Sequence, residues 1–243
     1  MRILKDAVDL LLPPNCSLCG RFPDADGKLP YNVPKNFHIC FNCLSELIPH
    51  PVEKRFFPCM SEPYEGDPLP GLLLYMPYPY RGFFEKAVPG IKFHSHPEIA
   101  SFAGMLLGDL MHKDGITADM IVPVPLSSSR LKERGYNQAA LIAREAAAYC
   151  NIPCFDDVLI RTRDTMRQTE ITDNAQRSMN VAGAFKVSDR YALDGMKILV
   201  LDDVATTGNT LHEAAVALSE AGASKVLCVA LAGNRAVLNA ESC

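Results

Sequence analysis

Tryptophan is absent from the 243-residue sequence, and no apolar stretch approaches the roughly 18 residues that a membrane-spanning helix needs. We therefore expect no transmembrane helix. Basic residues are not in excess either, since 24 Lys and Arg stand against 28 Asp and Glu, which gives a net charge of −4. This balance argues against a protein coated with positive charge for nucleic acid or a membrane surface, although it is compatible with a local basic face.

The first residues lack the clean apolar run of a secretory signal peptide. Asp6 and Asp9 interrupt the apolar residues of 1–12, whose spacing instead predicts a short amphipathic helix. Without a signal peptide, the expected location is the cytoplasm. There the nine cysteines are expected to be thiols or metal ligands rather than disulfides.

Four of the cysteines form two Cys-x-x-Cys pairs, Cys16 with Cys19 and Cys40 with Cys43. This pattern is typical of a tetrahedral Zn²⁺ site, because the short loop within each pair lets both thiolates face one ion. The segment is rich in proline and too small to hold itself together by apolar burial, so metal binding is expected to drive its folding. With four thiolates the site would be closed and structural. The alternative is four unrelated thiols, and Cys59 is expected to be a spare thiol.

Beyond about residue 64 the pattern changes to apolar strands that alternate with helices. We therefore expect a small module at residues 1–63 and a larger domain at residues 64–243, joined by a Pro- and Gly-containing linker. The alternation predicts an α/β fold with a parallel sheet covered by helices on both faces. The predicted strands are 72–76, 120–124, 197–201 and 224–231, and the predicted helices begin at Pro97 or cover 137–149 and 211–221.

The most specific segment follows the strand 197–201. Asp202 and Asp203 end this strand, and small or hydroxyl-bearing residues then lead into a helix: Ala205, Thr206, Thr207, Gly208, Asn209 and Thr210. A helix N-terminus offers unpaired N–H groups and partial positive charge to a phosphate, and small residues let the backbone close around it. Carboxylates at the end of the strand can accept hydrogen bonds from two adjacent sugar hydroxyls. The alternative is an ordinary strand–helix loop with a capping residue.

Two other phosphate-binding motifs are missing here. Gly-Lys-Ser/Thr does not follow the strand, so this is not a Walker loop, and Gly-x-Gly-x-x-Gly is absent, so it is not a dinucleotide fingerprint. The segment Val200–Thr210 instead resembles the 5-phosphoribosyl pyrophosphate (PRPP) motif of type I phosphoribosyltransferases. Over essentially the whole chain, the sequence is similar to the ComF family, which is linked to DNA uptake in bacterial natural competence. Further motifs carry this resemblance: the Cys-x-x-Cys pairs, Ile121–Leu126, Arg134-Gly-Tyr-Asn-Gln138, Arg161–Gln168, Arg177–Asn180 and Ala184-Phe185.

The resemblance implies roles for particular residues. Asp202 and Asp203 would be the catalytic, ribose-binding acids, and residues 205–210 would complete the PRPP site. The loop that holds the pyrophosphate through backbone amides would be Pro123, Val124, Pro125 and Leu126. The polar segment 161–180 matches a flexible catalytic loop, with four candidate residues: Arg161, Arg163, Gln168 and Arg177. Relatives place a basic residue in a helix where this chain has Lys92, and Pro89-Gly90 is expected to interrupt that helix.

Three functions fit these motifs. The first is a ComF-like protein that binds PRPP with Mg²⁺ and acts in DNA uptake, with single-stranded DNA and other competence proteins, such as a ComF-operon helicase, as partners and without membrane insertion. The acidic net charge and the absence of tryptophan make the support for DNA contact weak, since single-strand binders use a positively charged groove and aromatic platforms. The second is a phosphoribosyltransferase that joins 5-phosphoribose to a free base, with an unidentified acceptor. The third is a non-catalytic regulator that binds PRPP or a nucleotide. In each case Mg²⁺ would arrive with PRPP rather than occupy an all-protein site.

Overall fold

The computed structural model describes residues 15–21, 38–59, 67–69, 71–93, 97–162 and 183–233. Within these ranges, no helix has both the length and the apolar character that a membrane span requires. The predicted N-terminal helix, the boundary between residues 63 and 64 and most of the predicted flexible loop lie outside the described residues. They stay predictions.

The described residues form eight strands, six α-helices and one short 3-10 helix, Val52–Lys54. The strands are β1 Phe56–Pro58, β2 Leu73–Tyr75, β3 Tyr78–Pro79, β4 Met120–Pro123, β5 Leu159–Arg161, β6 Phe185–Val187, β7 Lys197–Ala205 and β8 Lys225–Gly233. The helices are α1 Phe41–Ser45, α2 Phe83–Phe93, α3 Pro97–Lys113, α4 Ser128–Arg134, α5 Gln138–Cys150 and α6 Asn209–Glu220. Each strand and helix predicted beyond residue 64 is present within a few residues of its expected bounds.

The main sheet has the order β1-β2-β8-β7-β4, with β3 also paired to β8. All of its pairings are parallel except that of β1 with β2. Strands β5 and β6 form a separate antiparallel pair. The predicted α/β fold with a parallel sheet is confirmed, and its antiparallel edge comes from residues that precede the expected domain boundary.

Side chains of β7 alternate between two cores, one on each face of the sheet. Leu199 and Leu201 belong to a core that includes α2, α3, α5 and the paired cysteines. Ile198 and Val200 belong to a core that includes α6 and the β5–β6 pair. The period of two along a strand therefore buries both faces, as expected for a parallel sheet between helices.

Helices α3 and α5 pack closely because α3 has a glycine where they meet. A Cβ atom added to Gly104 would lie 2.6 Å from the carbonyl oxygen of Ile142 and 2.7 Å from Cβ of Glu145. Those separations are shorter than van der Waals contact, so any side chain at this position would force the helices apart. The packing fixes the start of α5, which lies at the candidate site.

The expectation that Pro89-Gly90 interrupts a helix is wrong. Helix α2 contains Pro89 and continues to Phe93. A proline inside a helix removes one backbone hydrogen bond, but tertiary packing of the apolar face outweighs that loss here. The buried residues of this face are Phe83, Phe84, Ala87, Val88 and Ile91. The continued helix places Lys92 in its last turn.

Candidate functional site

The ends of two neighbouring strands define the candidate site. Strand β4 pairs with β7 in register, with Pro123 opposite Leu201. The loop after β4 and the two aspartates therefore lie at the same edge of the sheet, where parallel α/β sheets bind ligands. Strand β7 also extends further than predicted, since β8 pairs with it as far as Ala205. Asp202 and Asp203 are thus held by the sheet rather than by a loop.

Asp203 is buried and surrounded by donors. Lys92 Nζ lies 2.8 Å from Oδ2 of Asp203, and Gln138 Nε2 donates to the same oxygen at 3.5 Å. The other oxygen, Oδ1, accepts from the Val204 N–H at 2.9 Å. Burial alone would lower the pKa of Lys92, but the carboxylates of Asp203 and Asp202 outweigh it and raise that pKa. The carboxylate of Asp203 therefore has its own cation within the chain.

Asp202 lies in a different environment from its neighbour. Its side chain is partly exposed, and its Oδ1 accepts from the backbone N–H of Asp203 at 2.8 Å. Burial and then the charge of Asp203 raise the pKa of Asp202 to about 7, against the opposing effect of Lys92. Close to neutral pH this carboxyl group can therefore gain or lose a proton.

The segment 134–138 joins three parts of the site. The Tyr136 hydroxyl donates to the carbonyl of Ile91, next to Lys92. Asn137 caps α5 by accepting from the Ala139 N–H at 3.1 Å, and its Nδ2 donates to the Val124 carbonyl at 3.0 Å. Gln138, the first residue of α5, reaches Asp203. Tyr136, Asn137 and Gln138 therefore connect this motif to three different parts of the site: the end of α2, the loop after β4 and Asp203.

The loop from Thr206 to Gly208 leads directly into α6. Gly208 caps this helix in the left-handed conformation, with φ of 81°, which glycine adopts without strain. The Thr207 hydroxyl is buried and has no hydrogen-bond partner within the described part of the chain. A buried hydroxyl without a partner is costly, so this loop is suited to a polar ligand at the start of α6.

The loop after β4 offers fewer amides than its predicted role suggests. Pro123 and Pro125 have no N–H, and the Val124 N–H donates to the Leu201 carbonyl at 2.8 Å within the sheet. Among the four predicted residues, only Leu126 therefore retains an amide that the sheet does not use. Arg161 NH1 donates to the Pro125 carbonyl at 3.4 Å, so a guanidinium group lies against this loop.

Arg161 was expected at the start of a flexible loop, but it lies in β5 and its guanidinium stacks over the Phe185 ring at 5.4 Å. The other three residues predicted for that loop, Arg163, Gln168 and Arg177, lie outside the described residues. Lys92, Tyr136, Asn137 and Gln138 were not predicted as site residues. The signals that point to them are the basic residue in the last turn of α2 and the Arg134–Gln138 motif.

The four paired cysteines converge into one cluster. The Sγ atoms of Cys16, Cys19, Cys40 and Cys43 all lie within 4.8 Å of one another, and those of Cys19 and Cys40 are 3.7 Å apart. Four sulfurs at ~2.3 Å from a tetrahedral ion would be ~3.8 Å apart, so the cluster can hold such an ion. The Ser17 N–H donates to the His38 carbonyl at 2.8 Å and links the two pairs.

The thiols of this cluster differ in acidity. Burial opposes ionisation of Cys16, but hydrogen bonds from the backbone of Cys40, Cys19 and Leu18 outweigh it and lower its pKa to about 7. Burial, followed by the neighbouring thiols, raises the pKa of Cys43. Ionisation of the Cys43 thiol is therefore unfavourable in the folded chain alone, whereas a bound cation would favour the thiolate form of each ligand.

Comparisons with known proteins identify the family of the domain. A family model described as the phosphoribosyl transferase domain matches residues 92–241. The DNA utilization protein YhgH of Escherichia coli K12 is 32% identical over 141 residues, which cover 56% of this chain and 61% of that protein. Competence protein F of Haemophilus influenzae is 30% identical over 44% of this chain and 47% of the relative. Competence protein ComFC of Bacillus subtilis is 31% identical over 42% of this chain and 39% of the relative.

Solved structures with a similar arrangement include an allosteric regulatory enzyme of purine biosynthesis, with a TM-score of 0.42 and 23% identity over 60% of this chain and 30% of that chain. A purine phosphoribosyltransferase from Pyrococcus horikoshii has a TM-score of 0.35 and 15% identity, over 55% of this chain and 73% of that chain. The chain spans between 39% and 61% of the lengths of the three curated relatives named above. The family match covers more than half of the chain, and the chain therefore belongs to the phosphoribosyl transferase domain family, with ComF-type proteins among its relatives as its motifs predicted.

Proposed function

We propose that this chain is a ComF-like protein that binds PRPP together with Mg²⁺ and acts in DNA uptake. The unpartnered Thr207 hydroxyl carries the first part of this proposal. It lies beside the N-terminus of a twelve-residue helix, where a phosphate would receive N–H and O–H donors together. The carboxylates of Asp202 and Asp203 precede the same loop and are suited to the hydroxyls of the attached sugar.

The roles of metals in this proposal follow from the donor sets. Mg²⁺ is usually bound through one or two carboxylates and the phosphates of its substrate, and the two aspartates supply that number. Bound Mg²⁺ would neutralise charge on the pyrophosphate. The cysteine cluster is suited to Zn²⁺, whose structural sites are built from four thiolates. This ion would hold the two Cys-x-x-Cys loops together and take no part in chemistry at the sheet edge.

The second part of the proposal, DNA uptake, rests on the names of the relatives, which are competence or DNA utilization proteins. We propose a cytoplasmic protein with single-stranded DNA and other competence proteins as partners. A role in joining 5-phosphoribose to a base, or in regulation by PRPP without turnover, would use the same site. Those two functions are distinguished by product formation from a panel of bases.

The first experiment is a calorimetric titration of the zinc-loaded protein with PRPP and Mg²⁺. We expect binding that weakens by about tenfold or more in the Asp202→Asn/Asp203→Asn variant, since each charge-assisted hydrogen bond contributes about 1.5–3 kcal/mol. The matched control is Asp156→Asn/Asp157→Asn, which removes the same charge from an adjacent pair on the surface. Its affinity for PRPP should equal that of the unchanged protein.

Two outcomes would contradict the proposal. Absence of heat and of any thermal shift with PRPP, in a protein shown to be folded, would leave the domain as an interaction module without this ligand. Equal weakening in both double variants would show that net charge rather than the aspartate site determines binding. If PRPP binds, fluorescence anisotropy with single-stranded DNA tests the second part, and an unchanged signal at micromolar protein would remove direct DNA contact from it.

A further inference from the structure

One buried polar atom at the site is not explained by the phosphate loop. Gln138 is only 3% exposed, and its Oε1 has no hydrogen-bond partner within the described residues. An acceptor buried without a donor is costly, and such atoms in native proteins usually serve a ligand or a bound water. Because Gln138 begins α5 and contacts Asp203, this atom lies beside the candidate site rather than in either core.

The orientation of the Gln138 amide is fixed by its neighbour. Oδ2 of Asp203 forms a salt bridge with Lys92 Nζ at 2.8 Å. A carboxylate oxygen in a salt bridge accepts hydrogen bonds and does not donate them. The amide must therefore turn Nε2 toward Asp203, as its 3.5 Å contact shows. The same orientation leaves Oε1 as a pure acceptor that requires a donor from outside the described side chains.

The rest of the motif keeps Gln138 in place. Asn137 ties the start of α5 to the loop after β4 through its bond to the Val124 carbonyl. Tyr136 ties it to the end of α2 through the Ile91 carbonyl. A side chain held from both directions is preorganised, and preorganised acceptors discriminate strongly between ligands that have a matching hydroxyl and ligands that lack it.

We infer that Gln138 is a specificity-determining residue whose Oε1 accepts a hydrogen bond from one ring hydroxyl of a ribose 5-phosphate unit. The inference rests on the proposed function, since it requires a 5-phosphoribosyl ligand at this edge of the sheet. Lys92 is a positioning residue in this arrangement: it neutralises Asp203 and so keeps the carboxylate and the amide together. The pair Lys92 and Gln138 thus extends sugar recognition beyond the two aspartates.

The test compares three sugars on the zinc-loaded protein: ribose 5-phosphate, 2-deoxyribose 5-phosphate and 3-deoxyribose 5-phosphate. The variant is Gln138→Leu, which has a similar volume and no polar atoms. Two ratios are measured: the affinity for ribose 5-phosphate divided by the affinity for each of the two deoxy sugars. We expect one of these ratios to fall by about tenfold in Gln138→Leu, while the other stays unchanged. Arg144→Met, an exposed position on the same helix, should keep both ratios.

A second variant guards against loss of fold at the first. Gln138→Met fills the same space with a flexible side chain, and thermal unfolding of both variants shows whether they are folded. If both ratios stay the same while affinity for all three sugars falls equally, Gln138 is only structural support and the inference is wrong. If the unchanged protein binds PRPP but does not distinguish the three sugars, the inference is also wrong while the proposed function stands. If the unchanged protein binds neither PRPP nor ribose 5-phosphate, the proposed function fails first.

Discussion

Helix α2 carries two lysines, and each lies beside a different cluster of acidic groups. Lys86 Nζ lies 2.6 Å from a carboxylate oxygen of Glu46 at the surface of the cysteine region. That contact raises the pKa of Lys86. At the other end of the helix, Lys92 pairs with the buried carboxylate of Asp203.

The difference between these two regions is the source of their cation. The aspartate pair has a lysine of the chain as its cation, since Lys92 pairs with Asp203 without any ligand. The cysteine cluster has its lysine outside, where water screens the charge. A cation among the four sulfurs would therefore have to come from solution, which is why we propose a metal for one region and a substrate for the other.

The largest expected effect comes from removing that metal. Structural zinc sites contribute about 10–16 kcal/mol of apparent binding free energy to folding. Treatment with a strong chelator, or the substitution Cys40→Ser, should therefore unfold the cysteine region and lower the melting temperature by more than 10 °C. Calorimetric unfolding together with measured zinc content checks this prediction.

The matched control for the cysteine prediction is Cys150→Ser, a partly buried thiol outside the cluster whose Sγ donates to the Gly108 carbonyl at 3.4 Å. This variant should keep its zinc and its response to the chelator. If the chelator leaves the melting temperature of the unchanged protein the same, the cluster is held by packing and the contrast between the two regions disappears.

The next effect separates the two lysines. Lys92→Met leaves a buried carboxylate without its cation, and breaking a buried pair from one side costs about 3 kcal/mol or more. Lys86→Met makes the same chemical change in the same helix, but an exposed pair contributes only about 0–1 kcal/mol. Denaturant unfolding of both variants measures the two free energies of unfolding.

The double variant Lys92→Met/Asp203→Asn sharpens this result. Removing both charges should restore much of the lost stability, because the cost in Lys92→Met arises from the uncompensated carboxylate. Losses of equal size at Lys86 and Lys92 would instead mean that helix propensity or packing, rather than burial of the pair, determines both values.

The two regions also differ in how far the sequence could predict them. The cysteine ligands lie in two local pairs, and local spacing largely determines local geometry. The acidic motif is likewise continuous, so its position near the end of β7 followed from the pattern of strand and helix. Gln138 and Asp203, in contrast, are 65 positions apart, and they come together only in the folded chain, where β4 pairs with β7 and α5 packs against both strands.

Lys92 was missed for a second physical reason. Local propensity predicts that Pro89 ends the helix, and tertiary packing of α2 onto the core overrides it. The use of the Val124 N–H was equally hidden, because only the observed structure shows that it donates to the Leu201 carbonyl.

The smallest expected effect is on the pH dependence of stability, and it concerns Asp202, which does not pair with Lys92. Burial and Asp203 raise the pKa of Asp202 from 3.8 to about 7, so between these values the folded protein binds a proton that the unfolded chain releases. The stability linked to this proton is fully present below pH ~4 and is lost as pH rises through ~7. A shift of this size corresponds to at most ~4 kcal/mol, and partial exposure of the side chain should reduce it to about 1–2 kcal/mol.

Asp202→Asn should remove this part of the pH dependence, as measured by denaturant unfolding between pH 5 and 8. Asp157→Asn should not, because a hydrogen bond from Tyr191 lowers the pKa of Asp157 and places its titration below that range. If Asp202→Asn retains the slope of the unchanged protein, Asp202 is ionised throughout and the two aspartates are alike.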